Sequence, residues 1–167
     1  MHLELAIKMD QAMDYAAAIE QYEAEIGSNP LPPVEAFVNL AFIYWHLATE
    51  PPFAFPADIS DTFSVNAGNR YGFVLDKGIV AHPYSLELHF WQRYFAHVLF
   101  GEPFSPEACE ELLDRFKADE SLTPYFFLWL YDKTTFAPQR QALIDIACAC
   151  LTEKNRYILA VLHGTCN

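Results

Sequence analysis

Two helical patterns meet at a proline-rich corner near the start of the chain, and this corner constrains the fold more than any other feature. Before the corner, apolar residues recur every four positions and so share one face of a helix: Ala18, Tyr22 and Ile26. After it, a second apolar face has the spacing i, i+3, i+4 and i+7: Phe37, Leu40, Ala41 and Tyr44. Residues 28–33 contain three prolines, which cannot continue a helical hydrogen-bond ladder but are tolerated in a first turn. The stretch therefore predicts a helical hairpin.

This hairpin resembles the tetratricopeptide repeat, a pair of helices of about 34 residues. The first helix of the repeat carries an aromatic residue, leucine, a small residue and tyrosine, which match Phe37, Leu40, Ala41 and Tyr44. The second helix carries alanine, an aromatic residue and proline, which match Ala18, Tyr22 and Pro30. It is clearest over residues 2–48 and looser beyond. The resemblance implies that Ala18 and Ala41 are buried where neighbouring helices approach closely.

The remaining sequence continues with helical patterns and almost no alternation of the kind that strands show. Helices are predicted over residues 2–13, 14–27, 34–48, 70–80, 85–100, 106–118, 124–131, 138–151 and 152–162. Ser105 before Pro106 is a typical helix start, with a hydroxyl as N-cap and proline at the first position. We therefore expect one all-α domain over residues 1–167, a TPR-like α-α superhelix of eight or nine helices stacked as antiparallel hairpins.

One loop interrupts this pattern. Thr49 to Pro56 is too rich in proline for a helix or a central strand. Two interpretations of Phe53 and Phe55 remain open, as lids on the core or as an exposed recognition element.

The charge of the chain indicates which partners it favours. Its 22 acidic residues against 10 basic ones give a formal net charge of −12. This charge disfavours binding to nucleic acid or to an anionic membrane, and favours a basic partner. A solvated acidic surface without a partner is the alternative. Many acids cluster around one predicted helix and its exit: Glu107, Glu110, Glu111, Asp114, Asp119 and Glu120.

The sequence carries no recognisable targeting pattern and no apolar run as long as the roughly 18–20 residues of a membrane span. We therefore expect a cytoplasmic protein. In that compartment its four cysteines, Cys109, Cys148, Cys150 and Cys166, are expected to be reduced.

Motifs that indicate catalysis are missing from the sequence, including HExxH, GxSxG and the phosphate-binding loop. His89, Arg93 and His97 share one helix face, but the two imidazoles are about 12 Å apart along the axis, too far to bind one ion. We expect no catalytic residues, no metal and no cofactor. The alternative is a hydrolase or metal-dependent enzyme that uses histidines and carboxylates brought together by the fold.

The resemblance implies a binding groove lined by the first helix of each hairpin. It places Asn39, Phe42, Trp45 and His46 on one wall and His89, Arg93 and His97 on the next. The amide of Asn39 is suited to a peptide backbone, and Arg93 to a carboxylate. Alternatively, Phe42 and Trp45 are core residues under a neighbouring helix.

The resemblance implies a non-catalytic module that binds a protein or peptide. An immunity protein that neutralises a basic toxin fits the acidity, with Glu110, Glu111 and Asp114 as the contacting acids. A secretion-type chaperone that holds a client segment in the groove fits the helical repeats. No motif in the sequence decides between the two.

Overall fold

The computed structural model describes residues 2–49 and 61–166, with side chains described from Arg70 onward in the second range. These residues form nine α-helices and no strand, which confirms the predicted all-α fold. The helices are α1 His2–Gln11, α2 Tyr15–Ser28, α3 Val34–Thr49, α4 Asp61–Ala81, α5 Leu86–Phe100, α6 Pro106–Arg115, α7 Tyr125–Tyr131, α8 Ala137–Ala149 and α9 Glu153–Leu162. Phe53 and Phe55, on which two interpretations were left open, lie outside the described residues.

Local sequence explains where several helices begin and end. The side chains of Asp14, Ser85 and Ser105 each accept the backbone N–H three residues ahead, and so cap α2, α5 and α6. Gly101 ends α5 in the left-handed conformation, with φ of 68°, which glycine adopts without steric cost. None of the helices in the described part of the chain is long and apolar enough to cross a membrane.

Helix α4 is longer than the sequence predicts. The helix was expected over residues 70–80, but its backbone is helical from Asp61 to Ala81, through a stretch rich in asparagine and glycine. Helix propensity is a weak prior that packing overrides, and α4 packs along α3. Gly78 marks this close approach, because a Cβ atom there would lie 2.9 Å from Leu88 Cδ2 and 3.1 Å from Phe37 Cβ.

Consecutive helices pack against one another along the chain, from α1 on α2 to α8 on α9. The arrangement is consistent with a helical superhelix, as predicted. Ala18 and Ala41 are fully buried, which confirms the expectation drawn from the resemblance. The last helix departs from a simple stack, because α9 also returns to pack against α3.

The tail that follows α9 folds back along α8. His163, with φ of 50°, turns the chain, and Gly164 lies so close to α8 that a Cβ atom there would be 2.9 Å from Ile144 Cγ1. Cys166 then forms a disulfide with Cys148, with an Sγ–Sγ distance of 2.08 Å. The prediction that all four cysteines are reduced is therefore wrong for this pair, because residue spacing does not reveal that the tail reverses. The other two cysteines are free thiols.

Candidate binding surfaces

The surface on which the sequence predicted a groove is covered by the chain itself. We call the side of the array formed by α1, α3 and α5 the inner face, and α9 lies on it. Phe42 of α3 is central to this contact, with its ring centroid 4.5 Å from that of Trp91 and 5.6 Å from that of Tyr157 of α9. The hydroxyl groups of Tyr94 and Tyr157 are 2.5 Å apart, which joins α5 to α9. Helix α9 therefore covers the surface on which the sequence predicts the groove.

Asn39 and Phe42 do not face an open groove, and the prediction that they do is wrong. The side chain of Asn39 is 1% exposed and that of Phe42 is fully buried. The Asn39 amide donates to the Tyr22 hydroxyl at 3.0 Å, so its donor is used within the fold and not by a peptide backbone. The physical reason is that the chain is long enough to return α9 across the helices that would line the groove.

Trp45 and His46 are half-buried at the edge of the inner face. The Trp45 ring stacks on Phe95, with centroids 5.0 Å apart, and meets Tyr157 of α9 edge-on at 4.9 Å. His46 Nδ1 lies 3.0 Å from a carboxylate oxygen of Glu153, the first residue of α9. Both side chains therefore contact the covering helix, which supports the alternative in which this part of α3 belongs to the core.

A buried carboxylate holds the start of α9. Asp10 of α1 is fully buried, and its Oδ1 accepts the backbone N–H of Glu153 at 2.7 Å and a guanidinium N–H of Arg156 at 3.1 Å. Its Oδ2 accepts the Tyr22 hydroxyl at 3.3 Å. Burial raises the pKa of Asp10 from 3.8 to about 6, although the bonds to Glu153 and Arg156 oppose this. Asp10 thus supplies from α1 the capping acceptor that the Thr152 side chain does not provide.

Glu153 is ionised in the same network. Burial raises the pKa of its carboxyl, but hydrogen bonds from His46 and Tyr15, together with the nearby Arg156, outweigh burial and lower the pKa to about 2. The Tyr15 hydroxyl donates at 2.6 Å, and Arg156 Nη2 lies 3.1 Å from the carboxylate. Three helices therefore meet at this one acid, which fixes the position of α9 on the inner face.

A second ion pair holds α9 to α5. Lys154 Nζ lies 2.9 Å from Glu87 Oε1, which also accepts Thr123 Oγ1 at 3.2 Å and Trp91 Nε1 at 3.4 Å. Burial alone would raise the pKa of Glu87. The Lys154 ammonium and the hydrogen bonds from Trp91 and Thr123 lower this pKa by more, so it lies below its ordinary value and the carboxyl is ionised. This ion pair holds the charged N-terminal end of α9 over α5. The apolar C-terminal end of α9 faces the core.

The three α5 residues predicted to line the groove lie on a different face of that helix. His89 stacks on Phe116 with centroids 4.5 Å apart, and Arg93 lies over the ring of Phe104 at 5.6 Å. His97 Nδ1 donates a hydrogen bond to the backbone carbonyl of Glu102 at 2.8 Å. These side chains face the segment around α6, whereas Glu87, Trp91 and Tyr94 face α9. The structure therefore separates them from Asn39, Phe42, Trp45 and His46.

The acids of α6 are placed as the sequence predicts. Glu107, Glu110, Glu111 and Asp114 are all exposed, and their spacing puts them on one side of the helix, which we call the acidic face. The opposite side carries the fully buried Cys109. No salt bridge among the described residues includes any of the four acids. Their charges are therefore free to meet a partner.

Asp119 is used differently from the acids of α6. It is half-buried, and its Oδ2 accepts the backbone N–H of Leu86 at 2.8 Å, while Oδ1 accepts that of Ser121 at 2.9 Å. It therefore supports the start of α5, and of the two acids that follow α6 only Glu120 is exposed.

Sequence reasoning missed the residues that close the inner face. Asp10, Glu87, Glu153, Lys154 and Arg156 come from three distant parts of the chain, and no spacing relates them. One signal was available: the first turn of α9 carries three charged residues immediately before an apolar run. Such a pattern indicates a helix whose first turn forms ion pairs with other parts of the chain and whose remaining apolar residues pack in the core.

Comparison of the chain with family models, curated proteins and solved structures gives no match. The resemblance to the tetratricopeptide repeat therefore stays a prediction from the residues. Among the side chains that the structure describes, no three histidines, cysteines or acids are grouped so that they could hold a metal ion.

Proposed function

We propose that this chain is a non-catalytic protein-binding module that takes a basic partner on the acidic face of α6. The observation that carries the proposal is the row of Glu107, Glu110, Glu111 and Asp114, exposed together and without an ion pair among the described residues. The net charge of −12 extends the negative field around this row. A field of one sign steers an oppositely charged partner toward the surface and raises its association rate.

The role of an immunity protein that covers the positive site of a basic toxin, such as a nuclease, fits this surface. The chaperone alternative has less support, because it requires an open groove and α9 lies on the inner face. The metal-dependent form of the enzyme alternative has no supporting group of three histidines, cysteines or acids among the described side chains.

A cytoplasmic location belongs to the same proposal. The Cys148–Cys166 disulfide counts against this location, because thiols are kept reduced in the cytoplasm.

Charge reversal on the acidic face tests the proposal. Replacing Glu110, Glu111 and Asp114 with lysine should lower the association rate with the partner by roughly 10- to 1,000-fold at low salt. The free energy of unfolding should change by less than about 0.5 kcal/mol per site, because these are surface positions. The partner is first obtained by affinity capture with the wild-type chain, and its association rate is then measured against ionic strength.

A matched variant controls for net charge. Replacing the exposed acids Glu4, Glu20 and Asp145, which lie on α1, α2 and α8, with lysine makes the same change in charge on other helices. The proposal requires that this variant keep most of the association rate, and that the wild-type rate fall as salt rises. A rate that is independent of salt, or that both triple variants reduce equally, would contradict it.

A further inference from the structure

A cleft on the side of the array away from α9 has the composition of a small-molecule site. It lies between α2 and α4 with α3 as its floor, and its volume is about 380 Å³. This size falls within the range of ordinary ligand pockets, about 300–1,000 Å³. We call it the α2–α4 cleft, and neither the acidic face nor the inner face contributes to it.

The floor of the cleft is apolar. It is formed by Ile26, Phe37, Leu40 and Val74, which are 9%, 1%, 1% and 8% exposed and so present little surface to the cleft. Phe73 stands at the edge with 69% of its surface exposed. A ligand with an apolar body would cover this ring and remove it from water, which is favourable in proportion to the area covered.

One end of the cleft is lined by polar side chains that bond to one another. The Tyr44 hydroxyl donates to Glu23 Oε1 at 2.5 Å and accepts from Arg70 Nη1 at 3.1 Å. Arg70 also lies 3.6 Å from the Glu23 carboxylate, so these charges largely satisfy one another.

The other charged group of the cleft is Lys77. It is exposed, and no salt bridge among the described residues includes it. With Arg70 and Lys77 against Glu23, the described residues of the lining carry one net positive charge in a chain whose overall charge is −12. The free charge of the cleft is thus cationic, and it sits above an apolar floor.

We propose that the α2–α4 cleft binds a small apolar carboxylic acid. The apolar body of the acid covers the exposed ring of Phe73, and its carboxylate pairs with the ammonium group of Lys77. Because Lys77 is exposed, water screens this pair, and its expected contribution to binding is modest. This inference does not depend on the proposed basic partner.

The test uses 3-phenylpropionate as the probe, with its neutral amide and the corresponding amine, 3-phenylpropylamine, as matched ligands. Binding is followed by amide chemical shifts of α2, α3 and α4 in the folded chain. We expect saturable shifts with the acid in the millimolar range, and binding of the amide and the amine weaker by roughly fivefold or more.

Two variants locate the site. Lys77→Gln should weaken binding of 3-phenylpropionate roughly fivefold, and Phe73→Ala should weaken the acid and the amide alike. Lys133→Gln removes an exposed lysine elsewhere and should leave binding unchanged. The proposal is overturned if the acid gives no saturable shifts, if the amine binds better, or if Lys77→Gln binds the acid as tightly as the wild type.

Discussion

Replacing Phe42 with alanine is expected to lower the free energy of unfolding by about 3–5 kcal/mol. Phe42 is fully buried between α3, α5 and α9, with Trp91, Phe95 and Tyr157 around its ring. Its removal leaves a cavity that these rigid rings cannot fill. Unfolding in urea measures the loss, and Phe100→Ala, at a side chain that is 72% exposed, is the matched control with little expected effect.

A double-mutant cycle separates the contact with α9 from general cavity effects. Phe42→Ala and Tyr157→Ala should show a coupling free energy of about 0.5–3 kcal/mol, because the two rings touch across the inner face. A loss for Phe42→Ala no larger than that for Phe100→Ala, or the absence of coupling with Tyr157, would show that α9 does not pack on α3.

Replacing Arg156 with methionine should lower the free energy of unfolding by about 3–5 kcal/mol near pH 8, because the change leaves the Asp10 carboxylate buried without its cation. Arg156 Nη2 contacts both the carboxylate and the backbone carbonyl of Asp10, at 3.1 and 3.0 Å. Lys117→Met removes an exposed positive charge and should change stability little. Urea unfolding at a series of pH values measures both variants.

The pH dependence of this loss identifies Asp10 as its cause. The folded-state pKa of Asp10, about 6, lies above its ordinary value of 3.8, so the folded state binds the proton more tightly. Stability from this group is therefore present below pH 3.8 and is lost as the pH rises through 6. Without Arg156 the folded-state pKa rises further, so the variant should recover part of its loss between pH 8 and pH 5.

A second substitution gives an independent check on the same cause. Asp10→Asn introduced together with Arg156→Met removes the buried charge and should restore much of the stability near pH 8. A deficit that stays constant between pH 8 and pH 5, or that the second substitution does not reduce, would show that Asp10 is not the source.

The sequence predicts the helices well, because each depends on local signals. Ser105 and Pro106 start α6 where expected, and the acids of α6 are outward because Cys109 on the other side enters the core. Only α4 is clearly longer than predicted, since packing along α3 outweighs the low helix propensity of its asparagines and glycines.

The inner face could not be predicted from the same signals. Asn39 and Phe42 have the spacing of groove residues, and nothing local to α3 shows that α9 covers them. The contacts that place α9 pair Asp10 with Arg156 and Glu87 with Lys154, which are 146 and 67 residues apart in sequence. Such long-range pairing depends on the complete fold. Sequence patterns therefore predict the helices that form the inner face but not that α9 covers it.

Amide hydrogen exchange of α9 in the folded chain tests most directly whether the inner face is closed and the acidic face is left as the binding surface. Amides held in a packed helix exchange only when the helix opens, so the exchange rate reports the free energy of that opening. If α9 lies on α3 as described, its central amides at Ile158 and Leu159 should exchange about as slowly as those of Leu40 and Ala41 in α3. Exchange in α9 that is much faster than in α3, and close to that of an unprotected chain, would show that the helix leaves the inner face open and would contradict this account.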